Sequence, residues 1–276
     1  MRARREPPRD GLIAEAVVGV DGRAGDRDAV ALAVTLGARR ITLVTVDGRE
    51  PVVSRSRLDQ EHALREDAAA VARTRRTPLS PEVVVEALWV DGDAPARALH
   101  EVARVRDASL IVVGSAQSAA HHGRVGRIVF GSVSRLVTHL APCPVAIAPR
   151  GHRDAPQHLD VIGLGYDGSP AADAALRTCR ALAASTGAAV EVHVVETELD
   201  HGERKRDQAL GALGVGARGF VHHGDRATEL ARASRSLDLL VLGTRGLGTE
   251  ARPGLDSTTD RIVAATRCPV LVVPRG

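Results

Sequence analysis

Gly114, Gly131 and Ser132 stand where a chain could hold an anion. In residues 109–150 an apolar run at 110–113 ends at Gly114, and a basic, glycine-bearing loop follows. Gly131-Ser132 then opens a stretch with apolar residues at Val133, Leu136, Val137 and Leu140. That i, i+3, i+4, i+7 spacing predicts a helix with one buried face. A strand end, a loop and a helix start bring free backbone N–H groups and the positive end of a helix dipole to one point, which suits a phosphate. Within the loop, Gly123 and Gly126 let the backbone approach closely, and Arg124 and Arg127 supply positive charge. The competing reading is a plain connector in which Ser132 serves only as a helix N-cap.

The same unit recurs in residues 236–276, where Gly243 matches Gly114, Ser257 matches Ser132 and Cys268 matches Cys143. Upstream, VVGVDG (17–22) returns as GLGYDG (163–168), pairing Asp21 with Asp167. The offset between copies falls from 146 at the aspartates to 129 at the glycines and 125 at the cysteines, so the second copy is shorter in its middle and in its loop. A repeat this long predicts two whole domains, 12–150 and 158–276, and not a solenoid.

The elements that must position these residues alternate. Strands are predicted at 16–20, 41–46, 82–90, 110–113 and 144–149, with helices at 26–37, 57–75, 95–105 and from 132. The second copy repeats this with strands at 161–166, 189–195, 218–222, 237–242 and 270–273, and helices at 170–186, 203–213, 227–234 and 258–265. Such alternation implies an α/β fold with a parallel, doubly wound five-stranded sheet in each copy. Ligands in open parallel sheets lie beyond the carboxyl ends of strands where the winding reverses, and Asp21 and Gly114 fall at such ends. An aspartate before glycine at a strand end is also a common turn residue, so the repeat alone does not choose between ligand and turn. Arg261 stands where the first copy has Leu136, which predicts a poorer buried face for the final helix. Residues 1–12 read as a tail and 151–159 as a polar linker.

Composition narrows the function. The 276 residues are 44 % apolar and 26 % charged, enough for two ordinary cores built from aliphatic side chains, because aromatics make up 1 %. A net charge of +3 with interleaved acids and no aromatic platform disfavours nucleic acid. No run approaches the roughly 20 apolar residues of a membrane span. Three cysteines make no disulfide framework and read as buried thiols of a cytoplasmic protein. The pairs His121-His122 and His222-His223 lack ligand-spaced companions, so surface polarity is expected of them and no metal site. No catalytic triad or catalytic cysteine is recognisable.

With these motifs in place, the chain resembles a tandem universal stress protein from about Ala14 to Gly276. The segments APCPVAIAPRG and TRCPVLVVPRG are similar to that family's usual ending. The resemblance implies two Rossmann-like domains of the adenine nucleotide alpha hydrolase-like type, pairing through their last strands, with homodimerisation as a further option. Nucleotide-binding members carry a glycine, two residues, a glycine, nine residues, then glycine and serine or threonine. The first copy has Gln117 at the second glycine and a loop four residues longer, whereas the second keeps Gly243, Gly246 and Ser257 but has Asp256 at the last glycine. A carboxylate about 4 Å from a phosphate costs on the order of 4 kcal/mol at an effective dielectric near 20, so the second site is expected to be weaker or empty.

By resemblance, Asp21 lies near adenine or ribose, the Val46 backbone contacts adenine, and Ser132 holds a phosphate oxygen. Ser115 and Val133 complete the first set. Asp167, Val194, Gly243, Gly246 and Ser257 are their counterparts in the second. The expected ligand is ATP, with AMP or ADP as variants and Mg2+ as a companion, held by a regulatory binding module of the stress response. The alternatives are a scaffold without a ligand and a slow ATPase using His121 or His122.

Overall fold

The computed structural model of the chain describes residues 13–47, 55–74, 83–115, 131–196, 199–214, 216–244 and 258–275. In the first half, β1 (Glu15–Val20), α1 (Gly25–Thr35), β2 (Arg40–Asp47), α2 (Arg55–Thr74) and β3 (Val84–Asp91) alternate. They are followed by α3 (Pro95–Val105), β4 (Leu110–Gly114), α4 (Ser132–Leu140) and β5 (Val145–Ala148). The second half runs β6 (Val161–Gly165), α5 (Pro170–Thr186), β7 (Ala189–Val195), α6 (Leu199–Leu213) and β8 (Arg218–His222). It closes with α7 (Arg226–Ala233), β9 (Leu239–Thr244), α8 (Thr258–Ala265) and β10 (Val270–Pro274).

The ten described strands form one sheet, ordered β3-β2-β1-β4-β5-β10-β9-β6-β7-β8. Each half is parallel and reverses its winding between its first and fourth strands, β1 with β4 and β6 with β9. The halves meet at an antiparallel seam in which Val145, Ala146 and Ile147 of β5 face Val272, Leu271 and Val270 of β10. The carboxyl ends of the strands therefore point in opposite directions in the two halves.

Strand alternation divides the apolar side chains into two layers. Val18, Leu110 and Val112 pack under α1 and α2, while Val17, Ile111 and Val113 pack under α3 and α4. Both layers continue across the seam into the second half. The largest fully buried side chains are all Leu and Ile, as a chain nearly free of aromatics requires.

Local chemistry fixes the helix ends. Proline is the first residue of both α3 and α5, where its missing N–H costs nothing. Ser169 caps α5 by accepting the Ala172 N–H at 3.2 Å, and Gly187 ends it at φ +76°. The connector between halves is docked, not loose. The Gly151 and Arg153 N–H groups donate to the Asp28 carboxylate at 3.0 and 2.9 Å, and residues 152–154 form a 3-10 turn.

Two sequence expectations on helix faces are corrected. In α4 the buried residues are Ser134, Val137 and Thr138, whereas Val133 and Leu136 are exposed. The buried face is shifted by about one residue from the apolar stripe, with α4 packed against α3 and over β5 and β10 of the sheet. Arg261 then occupies a solvent-facing position as Leu136 does, and it donates to Asp225 at 2.9 Å. Ile262 and Val263 bury α8 without it.

Candidate functional site

At the carboxyl ends of β1, β2 and β4 a cleft of about 360 Å³ opens beside α4. Gly19, Val44, Val113 and Leu99 form its apolar part, and Val46, Asp21, Ser115 and Gly131 to Ser134 surround them. Asp21, Val46, Gly114, Ser115, Gly131, Ser132 and Val133 are thus brought together, as expected for a site. Gly123, Arg124, Gly126, Arg127, Gln117, His121 and His122 lie outside the described residues.

The turn after β1 is built by two carboxylates. Asp21 accepts the Arg23 N–H at 3.1 Å and the Arg23 guanidinium at 2.9 Å, yet its side chain stays 57 % exposed at the cleft. Asp26, on α1, reaches back to accept the N–H groups of Asp21 (3.0 Å) and Gly22 (2.9 Å), and the Gln60 amide at 2.8 Å. Gly22 sits at φ +86°, a conformation that favours glycine. Burial pushes the Asp26 carboxyl up to about 6 despite its hydrogen bonds, with the Asp21 charge adding to the rise. Sequence reasoning missed Asp26, which with Asp28 reads as one of two ordinary first-turn acids.

Gly114 has a packing reason as well as a place at the cleft. A Cβ there would lie 2.6 Å from the Gly25 carbonyl oxygen, so α1 can cross the end of β4 only over a glycine. The N-cap of α4 is Gly131, extended at φ −76° and ψ 171°, with no side-chain cap. Ser132 is therefore the first helical residue and not the cap, and no acid occupies the first turn. The helix start faces the cleft with backbone N–H groups available to an anion.

The second half holds a cleft of about 320 Å³ at the matching place. Asp167 and Gly243 line it; Gly246, Ser257, Arg245, Arg252 and Asp256 lie outside the described residues. Asp167 accepts the Ser169 N–H at 3.0 Å, and Arg226 lies 4.0 Å away. Burial raises the Asp167 carboxyl, but the Ser169 hydrogen bonds and the Arg226 and Lys205 charges outweigh it and hold the group low. A Cβ on Gly243 would lie 2.3 Å from the Ala171 carbonyl oxygen, repeating the Gly114 contact.

The placement of Val194 is corrected. It is fully buried in the layer under α5 and α6, while its neighbours His193 and Val195 line the cleft. Strand pairing gives the equivalence: Gly19 faces Val44 and Gly165 faces His193, so Val195 and not Val194 answers to Val46. His193 packs beside both Phe220 and His222, each 5.3 Å away by ring centroids, and its Nδ1 is 3.0 Å from Nε2 of His222. His222 is thus packed with its neighbours and is not the surface group expected. Burial, with the His222 and Arg232 charges, pulls His193 down to about 4. Cys143, Cys179 and Cys268 are free and buried, and burial pushes each thiol up to about 12, consistent with inert core residues. No metal-holding group of three His, Cys, Asp or Glu side chains occurs among the described residues.

One contributor to the second cleft comes from the first half. His139, at the end of α4, lines that cleft, and its Nε2 lies 3.2 Å from Oδ1 of the buried Asp260 on α8. This contact depends on how the halves dock, which no sequence pattern reports.

Comparison with known proteins bears on these clefts. The profile of the Universal stress protein family matches residues 15–149 and 196–274. It leaves unmatched β6 to β7, where Ala172 replaces Asp26 and His193 replaces Val44. A universal stress protein of Mycobacterium tuberculosis is 27 % identical over 265 residues, covering 85 % of this chain and 89 % of that one. One from Thermus aquaticus is 32 % identical over 130 residues, 40 % of this chain and 95 % of its own length. A crystal structure of a universal stress protein from Archaeoglobus fulgidus superposes with a TM-score of 0.73 at 20 % identity, covering 95 % of this chain and 98 % of that one. With matching profiles in both halves and a shared fold end to end, the chain belongs to the universal stress protein family.

Proposed function

We propose that the first cleft binds an adenine nucleotide, ATP or its di- or monophosphate with Mg2+ as companion, and that the protein is a cytoplasmic regulatory binding module of the stress response. The observation that carries this reading is the start of α4, where Gly131 leaves the backbone N–H groups uncapped by a side chain at the mouth of a 360 Å³ cleft. Asp21 is placed to accept from ribose or base, and Val44 and Val46 offer the apolar wall a base needs. The rival reading, a scaffold without a ligand, draws on one fact: helix packing alone accounts for Gly114 and Gly243. No described helix is long and apolar enough to cross a membrane, and three buried free thiols suit a reducing compartment.

Calorimetric titration with ATP tests the proposal. Saturable binding is expected, and Gly131→Asp, which sets a carboxylate beside the phosphate position of the first cleft, weakens binding there at least tenfold. Absence of heat at millimolar ATP would leave the scaffold reading standing.

A further inference from the structure

A third cavity, of about 390 Å³, lies where the connector, the end of β5 and the starts of β9 and β10 meet. Arg150, Arg235 and Arg267 line it from three separate segments, and all three are exposed. None has an ion-pair partner among the described residues. The one carboxylate in the lining, Asp238, is already engaged, because its Oδ2 accepts the Asp160 and Val161 N–H groups, both at 2.8 Å.

The repeat supplies an internal control. Arg235 lies eight residues before Gly243, as Arg106 lies eight before Gly114. Arg106 is neutralised: its guanidinium donates to Glu86 at 2.9 Å and lies 3.7 Å from Glu15. Strand register places Val161 at the position of Glu15 and Arg218 at that of Glu86. The second half thus keeps the arginine and lacks both acids that neutralise it in the first. Arg267 adds a further cation where the first half has Pro142.

The walls are pre-ordered by bonds that do not involve the guanidiniums. The Ser234 hydroxyl accepts the Arg267 N–H at 3.1 Å, tying the two arginine-bearing turns together. Asp28 holds the connector on the opposite side through Gly151 and Arg153. Between those two residues His152, 6 % exposed, is part of the lining, and its Nε2 has no hydrogen-bond partner among the described residues.

From these features we infer that the groove is a binding site for a small ligand bearing two or more phosphoryl groups. A guanidinium fork pairs with carboxylate or phosphate; three arginines on separate segments suit tetrahedral groups, whose oxygens point in several directions, and three positive charges suit more than one phosphoryl group. The site is distinct from both strand-end clefts and stands whether or not the first cleft takes a nucleotide.

The test is calorimetry at low salt with inorganic tripolyphosphate and, separately, a sugar bisphosphate, on the full chain and on two variants. Arg235→Gln/Arg267→Gln should weaken whichever probe binds at least tenfold, with an unchanged melting temperature because both side chains are exposed. Gly131→Asp, which blocks the first cleft, should leave that affinity unaltered. Equal affinity in the arginine variant, loss in Gly131→Asp instead, or no binding of either probe at millimolar concentration overturns the inference. So does citrate binding as tightly with the same arginine dependence, since the ligand class would then be carboxylate. Because ATP also carries phosphoryl groups, its titration is repeated on the Arg235→Gln/Arg267→Gln variant, where it reads the first cleft alone, so either result can fail without the other.

Discussion

The two strand-end clefts have nearly the same volume, about 360 and 320 Å³, and the same supporting elements, yet their side chains differ in kind. The first is apolar at Val44 and has Asp26 in its lining; the second has His193 and Ala172 at those positions and borrows His139 from the other half. What the copies share is explained largely by packing. Gly114 and Gly243 each lie under the start of a helix, and Asp21 and Asp167 each accept an N–H two residues on. In a duplicated fold the shared residues report what the backbone demands, and the residues that differ report what each cleft is for.

The largest effect should come from disturbing what the halves share. Gly114→Ala and Gly243→Ala press a methyl group onto a backbone oxygen that cannot rotate away, and each should cost about 3 kcal/mol or more. That corresponds to a fall in melting temperature of roughly 6–12 °C in ligand-free protein. A Gly114→Ala protein that melts like wild type and loses only ATP binding would make the glycine a ligand residue and undo the comparison.

Asp26→Asn sharpens the contrast next. The folded pKa of Asp26 lies above its unfolded value, so its contribution to stability is whole below about pH 4 and is lost as pH rises through about 6. The difference in unfolding free energy between wild type and Asp26→Asn should shift by on the order of 3 kcal/mol from pH 4 to pH 7. Denaturant titrations of both proteins at each pH measure it, and parallel curves would show that the carboxyl does not titrate there. The second half, with Ala172, has nothing equivalent to lose.

The smallest expected difference concerns the turns themselves. Ser169→Ala removes the cap of α5 and should cost about 1 kcal/mol. Arg23→Ala, at the matching position, removes an exposed ion pair and should change stability by less than about 0.5 kcal/mol. Chemical denaturation resolves the two, and equal losses would mean that Arg23 supports its turn as Ser169 does.

Much of the fold was legible because buried parallel strands read as uninterrupted aliphatic runs and helix ends carry their own chemistry. The bounds of α3, α5, β7, β8 and α8 agree with the residues foreseen, and α6 starts one turn early at Leu199. Facing was harder. The spacing of Val133, Leu136, Val137 and Leu140 predicts a buried stripe, but Ser134 and Thr138 pack inward with Val137, in a helix held chiefly against α3. Val194 and Val195 are equally apolar, and only the strand register shows that Val195 answers to Val46. Asp26 looked like an ordinary first-turn acid, and its role in fastening the Asp21 turn appears only once α1 is folded back on β1.

The antiparallel seam has a consequence for how this molecule could meet another. Because β5 and β10 shield each other's outer borders, neither can accept a strand from a second molecule. Among the described strands, main-chain valence remains at β3 and β8, nine spacings or about 43 Å apart. Like joined to like there would close a two-fold pair, whereas β3 meeting β8 would propagate as an open ribbon, a choice that the internal seam leaves to the two ends of the sheet.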